Sequence, residues 1–321
     1  MTHPETRNTL YVEQAELVSQ DEYAERQYHM RLHAPETAMH AKPGHFIHMQ
    51  CDPALYMRRP MSIMRSNPKS KTIDVLYKVH GQGTDLLSKR DVGDKIDLIG
   101  PIGQSFKMEG YKRRPLLIGG GVGIPPMVFL SEHIKNTAKE INPLVIMGSE
   151  IPFPFKSRPS QIIVKEMPSD VIAAMPLLDD WGIPSRLTSL QDYPGCFNGY
   201  VTDLARHWLD KLGNDEREEV EIFTCGPTPM LKAVAQLLKF HFDDKHQVAR
   251  LGGEEFGVFF DDLELDEATA LLEVFRRSLE SLTIQSGRRE INCTMSIGVT
   301  RGVFEQMEQL LNCADELLYQ A

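Results

Sequence analysis

In the stretch Arg58–Ile63, RRPMSI, an arginine stands three residues before a serine. A guanidinium presents a planar fork of donors that suits a pyrophosphate, and a hydroxyl three positions on can reach a ring nitrogen of a flat cofactor. Arg59 and Ser62 are therefore candidate binding and catalytic groups, with Pro60 and Met61 between them. An ordinary strand-end arginine is the commoner explanation of such a stretch taken alone. In YKVHGQGTDLLS, residues 77–88, Gly81 and Gly83 allow close backbone approach to phosphate and Thr84 adds a hydroxyl. A plain hairpin turn is the competing reading. LLIGGGVGIPPM, residues 116–127, joins an apolar run to a helical one. That is the setting in which Gly120, Gly121, Val122 and Gly123 can offer backbone N–H groups and a helix N-terminus to a diphosphate. CGPTPM, residues 225–230, closes another apolar run, and open α/β sheets bind ligands at such strand ends. Cys225 there either faces a ring or is simply a buried cysteine. RLGGEEF, residues 250–256, sets Gly252 and Gly253 before the adjacent carboxylates Glu254 and Glu255, a pairing suited to a divalent cation and phosphoryl chemistry.

These groups need elements to hold them. Residues 8–108 contain short alternating stretches such as TLYVEQAEL, HFIHMQ and IDVLYKVH, separated by Gly and Pro turns. Alternation with that punctuation predicts an antiparallel barrel or sandwich. From Arg113 apolar strands (RRPLLIGGG, NPLVIMGSE, QIIVKE, VEIFTCG) alternate in part with helical stretches (PPMVFLSEHIKNTAK, VTDLARHWLDKL). That alternation predicts a parallel α/β sheet, closed by the helix PTPMLKAVAQLLKFHF. From Gln247 the pattern predicts a hairpin, QVARL–GGEE–FGVFFDD, and an amphipathic helix with Asp266 as N-cap and Leu271, Phe275, Leu279 and Leu282 on one face. An alternating strand, INCTMSIGVT, and a final helix complete it. The expected division is 1–110, 111–246 and 247–321.

Composition narrows the function classes. Apolar residues make up 41% and charged residues 25%, as in an ordinary globular protein, and the net charge of −10 argues against non-specific nucleic-acid or anionic-membrane binding. The five cysteines are scattered, with no CxxC. Neither a disulfide framework nor a zinc ribbon follows, and a reducing cytoplasm is the expected location. No apolar leader is visible at the N-terminus. No metal site is expected: His45 and His48 would point to opposite faces of a strand, without partners.

The ordered set Arg-x-x-Ser, Gly-x-Gly-Thr, GDKIDLIGPIGQSF, GGGVGIPPM and CGPTPM resembles the ferredoxin–NADP reductase superfamily. Within it, the set is most similar to the dihydroorotate dehydrogenase electron-transfer subunit and its relatives, over roughly residues 8–240. The resemblance implies FAD at Arg59, Pro60, Met61, Ser62, Tyr77, Val79, Gly83 and Thr84. It implies a nicotinamide nucleotide at Gly120, Gly121, Val122 and Gly123 and at the loop with Cys225, Gly226, Pro227 and Met230. The implied chemistry is hydride transfer to the flavin and onward electron release, with Ser62 and Cys225 nearest the reacting rings. Met61 stands where many members have an aromatic residue, which puts a ring-stacking contact in doubt. Ser149 and Glu150 follow the LVIMG strand. Glu150 favours NADH over NADPH by repelling a 2′-phosphate, whereas Lys156 and Arg158 nearby favour the reverse. Relatives carry a four-cysteine [2Fe–2S] domain after this point. Here only Cys293 and Cys313 follow, so an external acceptor is expected: a quinone, a dye, oxygen or a partner protein.

Residues 247–321 are similar to the C-terminal half of a GGDEF-type diguanylate cyclase, through RLGGEEF, SIGVT and CADELLY. The family's earlier strand Asp and guanine-binding Asn-Asp segment have no counterpart before residue 247, and its triphosphate-binding Lys and Arg are missing after the CADELLY helix. The expected whole is an antiparallel FAD barrel, a parallel-sheet NAD(P) domain and an incomplete α+β cyclase-like segment, acting as a flavin oxidoreductase without cyclase activity. Two other readings stay open: a cyclic-di-GMP signalling protein with a flavin redox module, and a chimera of little native activity.

Overall fold

The computed structural model describes residues 9–106, 108–138, 140–141, 143–241, 246–252, 255–260, 264–280, 283–286, 289–292, 297 and 299–301. One compact unit covers Asn8–His241, and the C-terminal part beyond it groups separately.

The first half of the large unit is a closed barrel. Its strands are β1 (Tyr11–Tyr23), β2 (Gln27–His33), β3 (Phe46–Met49), β4 (Arg59–Asn67), β5 (Thr72–Lys78) and β6 (Lys95–Ile102), in the antiparallel order β1-β2-β5-β4-β3-β6. Alternation decides which side chains face inward. Met30 and Leu32 of β2, Ile63 of β4, Ile73 and Val75 of β5 and Leu98 of β6 are fully buried. Two short helices, α1 (Pro35–His40) and α2 (Gly81–Leu87), interrupt the barrel connections. The second corrects the hairpin alternative for residues 77–88: the glycines belong to a helical turn.

The second half is a parallel sheet. It comprises β7 (Arg114–Gly120), α3 (Ile124–Thr137), β8 (Leu144–Gly148), the two-residue strands β9 (Arg158–Pro159) and β10 (Ala173–Ala174), α4 (Pro176–Asp180), β11 (Ser185–Ser189), β12 (Phe197–Asn198), α5 (Val201–Lys211), α6 (Asn214–Glu218), β13 (Val220–Cys225) and α7 (Thr228–His241). The main sheet runs β12-β11-β8-β7-β13, and β9 pairs only with β10. Leu116, Leu117 and Ile118 of β7 and Val145, Ile146 and Met147 of β8 are all buried, as befits strands covered on both faces. Helix α3 packs on β7 and on barrel strand β4, while α5 packs on β8 and β11. Phe129 of α3 reaches the barrel core, and Met64 of β4 joins the sheet-side core. Arg65 of β4 and Glu132 of α3 add a fork pair at 3.1 and 2.5 Å.

Two sheet expectations need correction. QIIVKE, residues 161–166, is not a strand. Ile163 is 87% exposed, so no neighbouring strand covers it. The strand lies instead at Ser185–Ser189, SRLTS, whose polar residues conceal it. All five positions are buried, and Arg186 donates to the carbonyls of Ser185 and Ile162 at 2.7 and 2.8 Å.

In the C-terminal part, β14 (His246–Gly252) and β15 (Glu255–Phe260) form the expected antiparallel hairpin, with a register shift between Arg250 and Gly252. Helix α8 (Leu265–Glu280) and the hairpin of β16 (Thr283–Ser286) and β17 (Arg289–Asn292) follow. Because α8 begins at Leu265, Asp266 is its second helical residue and not its N-cap. The carboxylate still favours the positive end of the helix. Of the strand expected at INCTMSIGVT, Ile291 and Asn292 lie in β17, whereas Ile297, Val299 and Thr300 are not in a strand and the rest lie outside the described residues; Thr283–Ser286 is a strand that sequence patterning missed. The expected final helix lies outside the described residues.

Candidate functional site

The barrel side of the site is built by the start of β4 and the first turn of α2. Arg58 and Arg59 are adjacent but differently employed. Arg58 is tied to Asp97 of β6, through the carboxylate and through its carbonyl at 3.0 Å. Arg59 donates only to the carbonyls of Met57 and Arg58, at 3.0 and 3.3 Å, and pairs with no carboxylate among the described residues. Its guanidine lies over Gly83: a Cβ there would sit 3.3 Å from Arg59 Nε. Two stretches separated by 24 positions thus meet, with one unneutralised cation between them.

Along β4, Pro60 is exposed, Met61 points into the barrel core and Ser62 is half-buried. The Ser62 hydroxyl has no hydrogen bond among the described residues. Thr84 differs from the expectation. Its hydroxyl accepts from the His80 N–H at 2.7 Å and donates to the His80 carbonyl at 3.0 Å, which closes the α2 turn and leaves little for a phosphate. Tyr77 sits in the barrel core, stacked on Tyr28 at 5.4 Å, and donates its hydroxyl to Gln20 at 2.9 Å. Burial pushes its phenol far above the ordinary value. Val79 packs against the same core.

The sheet side is built by the ends of β7 and β13, neighbouring parallel strands in which Gly119 is opposite Cys225. The glycines divide into two kinds. A Cβ on Gly123 would lie 1.9 Å from the Cys225 carbonyl oxygen, so this glycine lets two backbones touch. Gly120 and Gly226 both accommodate Met230, whose sulfur would be 2.5 and 2.7 Å from Cβ atoms placed there. Gly121, at φ +52° with nothing within 4 Å of a Cβ, and exposed Val122 form an open tip. A ligand can approach at this tip.

The expected diphosphate cradle at the start of α3 needs revising. The Ile124 N–H is committed to the Gly121 carbonyl, and Pro125 and Pro126 have no N–H. The donors available to a phosphate are therefore those of the loop tip, more than those of the first helical turn. Cys225 is half-buried, and burial pushes its thiol up, which keeps it a neutral contact group. Sequence patterning missed Thr224, one residue earlier. Its Oγ1 is buried without a hydrogen-bond partner among the described residues. Buried hydroxyls are ordinarily paired, so this strand end has capacity for one more hydrogen bond than the protein supplies. Only packing reveals it.

The residues present fit both nucleotides: among the described residues they offer an unpaired guanidinium, a free hydroxyl, an open glycine tip and an orphaned buried hydroxyl. Of the cyclase-type residues, Gly252 ends β14 and Glu255 begins β15, while Gly253 and Glu254 lie outside the described residues. Cys293, Cys313, Ser296 and Gly298 of SIGVT, and CADELLY lie outside them too. Among the described residues no group of three or more His, Cys, Asp or Glu side chains could hold a metal, and no helix is long and apolar enough to cross a membrane.

Barrel, parallel sheet and strand-end loops together define a ferredoxin reductase-like oxidoreductase module of the type that binds FAD and a nicotinamide nucleotide. Residues 9–106 match the family described as oxidoreductase FAD-binding domain. The electron transfer subunit of dihydroorotate dehydrogenase B (NAD(+)) from Bacillus velezensis is 31% identical over 222 residues, 68% of this chain and 76% of that protein. That from Shouchella clausii is 29% identical over 222 residues, 68% of this chain and 75% of that protein. The chain belongs to this family of electron transfer subunits. An NADH-dependent reduced ferredoxin-NADP oxidoreductase shares the fold, with a TM-score of 0.55 at 23% identity over 72% of this chain and 73% of the other. Residues 229–321 match the diguanylate cyclase, GGDEF domain family.

Proposed function

We propose that this protein is an FAD-dependent NAD(P)H oxidoreductase that delivers electrons to an external acceptor. The observation that carries the reading is Arg59, a guanidinium without a carboxylate partner among the described residues, lying over the glycine of the α2 turn. Arg59 would hold the FAD pyrophosphate, and the Ser62 hydroxyl would hydrogen-bond the flavin ring. Gly121 and Val122 would meet the nicotinamide nucleotide's phosphates, with Gly120 and Gly123 shaping the loop behind them. The loop from Cys225 through Gly226 and Pro227 to Met230 would border the nicotinamide. Bound there, the two nucleotides supply hydride and single-electron chemistry, and the protein orients them. NADH is the favoured donor. Glu150 is exposed two residues past the end of β8, and Arg158 is tied to Asp180 and, at 3.5 Å, to Asp179, which leaves exposed Lys156 as the one nearby cation among the described residues on the side of a 2′-phosphate. The acceptor is a partner protein in this reading, as the name of the relatives, electron transfer subunit, suggests, and the location is the cytoplasm.

The test is to purify the chain, record its flavin absorbance and add NADH or NADPH without oxygen. Bleaching by NADH supports the reading; colourless protein that takes up no FAD sinks it. Arg59→Ala is expected to weaken FAD binding roughly 10- to 100-fold, the value of a charge-assisted hydrogen-bond pair. A titration of the stripped protein with FAD checks this.

The C-terminal part is proposed to make no cyclic-di-GMP. The cyclase-family match begins at residue 229, within α7. Helix α7 belongs to the Asn8–His241 unit, packs on α5 and β13 and buries Val234 there. A helix so committed is not available to complete a second core. Incubation with GTP and Mg²⁺, followed by chromatography of the nucleotides, is expected to show GTP unchanged. Formation of cyclic-di-GMP would restore the signalling reading.

A further inference from the structure

The loop that joins β3 to β4, residues 50–58, is held in place along its length. Gln50 donates to the Leu55 carbonyl at 3.3 Å. The Ala54 N–H donates to the Asp52 carboxylate at 2.8 Å, and the Leu55 N–H to the Asp52 carbonyl at 3.0 Å. Arg90, beyond the end of α2, reaches the Asp52 carboxylate at 3.3 Å, and Arg58 is tied to Asp97.

Two apolar side chains stand out from this fixed loop. Tyr56 is 96% exposed and Met57 is 73% exposed. A single exposed apolar residue calls for no explanation. Here two are adjacent, the loop beneath them is pinned, and a cation lies beside them. Arg59 folds back so that its Nη1 donates to the Met57 carbonyl at 3.0 Å, which brings the guanidinium to within one residue of Tyr56. From Arg59, strand β4 leads the other way, to Ser62. Tyr56, Arg59 and Ser62 therefore follow one another at intervals of three residues.

We propose that Tyr56 is a further FAD-positioning residue, whose ring carries one face of the adenine. The inference rests on the assignment of Arg59 and Ser62 made under the proposed function. FAD is built in the order flavin, diphosphate, ribose, adenine. With the flavin at Ser62 and the diphosphate at Arg59, the adenosine leaves the diphosphate on the side away from Ser62, where Tyr56 stands. An aromatic ring stacks on a base through the faces of both, with no demand on the base's edge. Because the loop is already held, little ordering is needed to present the ring. The polarizable thioether of Met57 extends the same apolar surface.

Titration of the flavin-free full chain with FAD, and separately with FMN, tests this through the change in flavin fluorescence. FMN ends at its single phosphate and has no adenine. Tyr56→Ala is expected to weaken FAD at least about five-fold, the low end for one base stacked on an aromatic side chain, and to leave FMN affinity unchanged. Tyr56→Phe keeps the ring and is expected to bind FAD as the unaltered protein does. Tyr56 is almost wholly exposed, so neither substitution removes packing, and circular dichroism checks the fold. Unchanged FAD affinity in Tyr56→Ala would overturn the proposal. Equal weakening of FAD and FMN would overturn it as well, by assigning the effect to the loop, and a loss in Tyr56→Phe equal to that in Tyr56→Ala would assign it to the hydroxyl. Should FMN bind too weakly to titrate, the FAD affinities of the two variants decide. Unaltered protein that takes up no FAD would instead sink the oxidoreductase reading, and this inference with it.

Discussion

Gly123→Ala is expected to slow NADH-dependent flavin bleaching at least ~100-fold while leaving FAD content intact, since misplacement of a reacting group by about 1 Å costs that much. The added methyl would lie 1.9 Å from Cys225 O, 2.3 Å from Cys225 C and 2.7 Å from Gly226 N. All three are backbone atoms, so no side chain can turn away. Either the start of α3 or the β13–α7 loop must shift, and both border the end of the site proposed for the nicotinamide. Overpacking of this kind also costs stability, roughly 1–3 kcal/mol. Gly182→Ala provides the comparison. Gly182 has φ +75° but nothing within 4 Å of a Cβ, so it carries backbone strain without collision. It should lose about 1 kcal/mol and bleach at the normal rate. Stopped-flow absorbance of the two variants separates the effects. Normal bleaching in Gly123→Ala would show that this loop contact does not set the geometry of hydride donation.

Asp74→Ala is expected to destabilise the protein by about 3 kcal/mol, the low end for removing one member of a buried ion pair. The low end applies because Arg31 is 40% exposed and solvent screens it, although Asp74 itself is nearly sealed at 4%. Thermal unfolding with FAD saturating should show a fall in Tm of roughly 6–12 °C for a unit of this size. Asp74→Asn should lose less, because its amide oxygen still accepts from Arg31. The pH dependence follows from the same group. Burial pushes the Asp74 carboxyl up, but hydrogen bonds and charge from Arg31 and His29 outweigh it and hold it at about 2, against an ordinary 3.8. The pair therefore contributes fully above about pH 4–5 and is lost as pH falls through about 2, an amplitude of roughly 2 kcal/mol. Denaturant melts between pH 2 and 5 should show this slope in the native protein and lack it in Asp74→Ala. An equal slope in both would assign acid sensitivity to other carboxylates.

Much of this architecture was legible in the linear order of residues. Alternation in IDVLYKVH marked β5, because a strand half-covered by a core repeats every second residue. LLIGGG and VEIFTCG marked β7 and β13, because strands buried on both faces are apolar throughout. Short helices were not legible. Pro35–His40 and Gly81–Leu87 span less than two turns each, too few residues for a helical period to show. SRLTS was missed and QIIVKE mistaken for a strand for one reason: burial there is settled by neighbouring chain, not by side-chain type. Arg186 is buried because carbonyls meet its guanidinium, while Ile163 stays in solvent.

The same boundary runs through the site. The sequence by itself determined that this chain has a flavin-type barrel, a nicotinamide-type sheet and a cyclase-like tail, since each is written in local periodicity and short motifs. It also singled out Arg59, Ser62, the glycine loop and Cys225. Only the tertiary structure decided what each does. It tied Arg58 to Asp97 and left Arg59 without a carboxylate among the described residues, turned the Thr84 hydroxyl back on its own helix and assigned Gly123 to backbone packing while Gly121 stayed open. It placed α7 with the oxidoreductase, although α7 also falls within the cyclase-family match. Each of these outcomes depends on which donor, acceptor or backbone lies within a few ångströms. Residues far apart along the chain supply most of those neighbours, and local sequence carries no record of them.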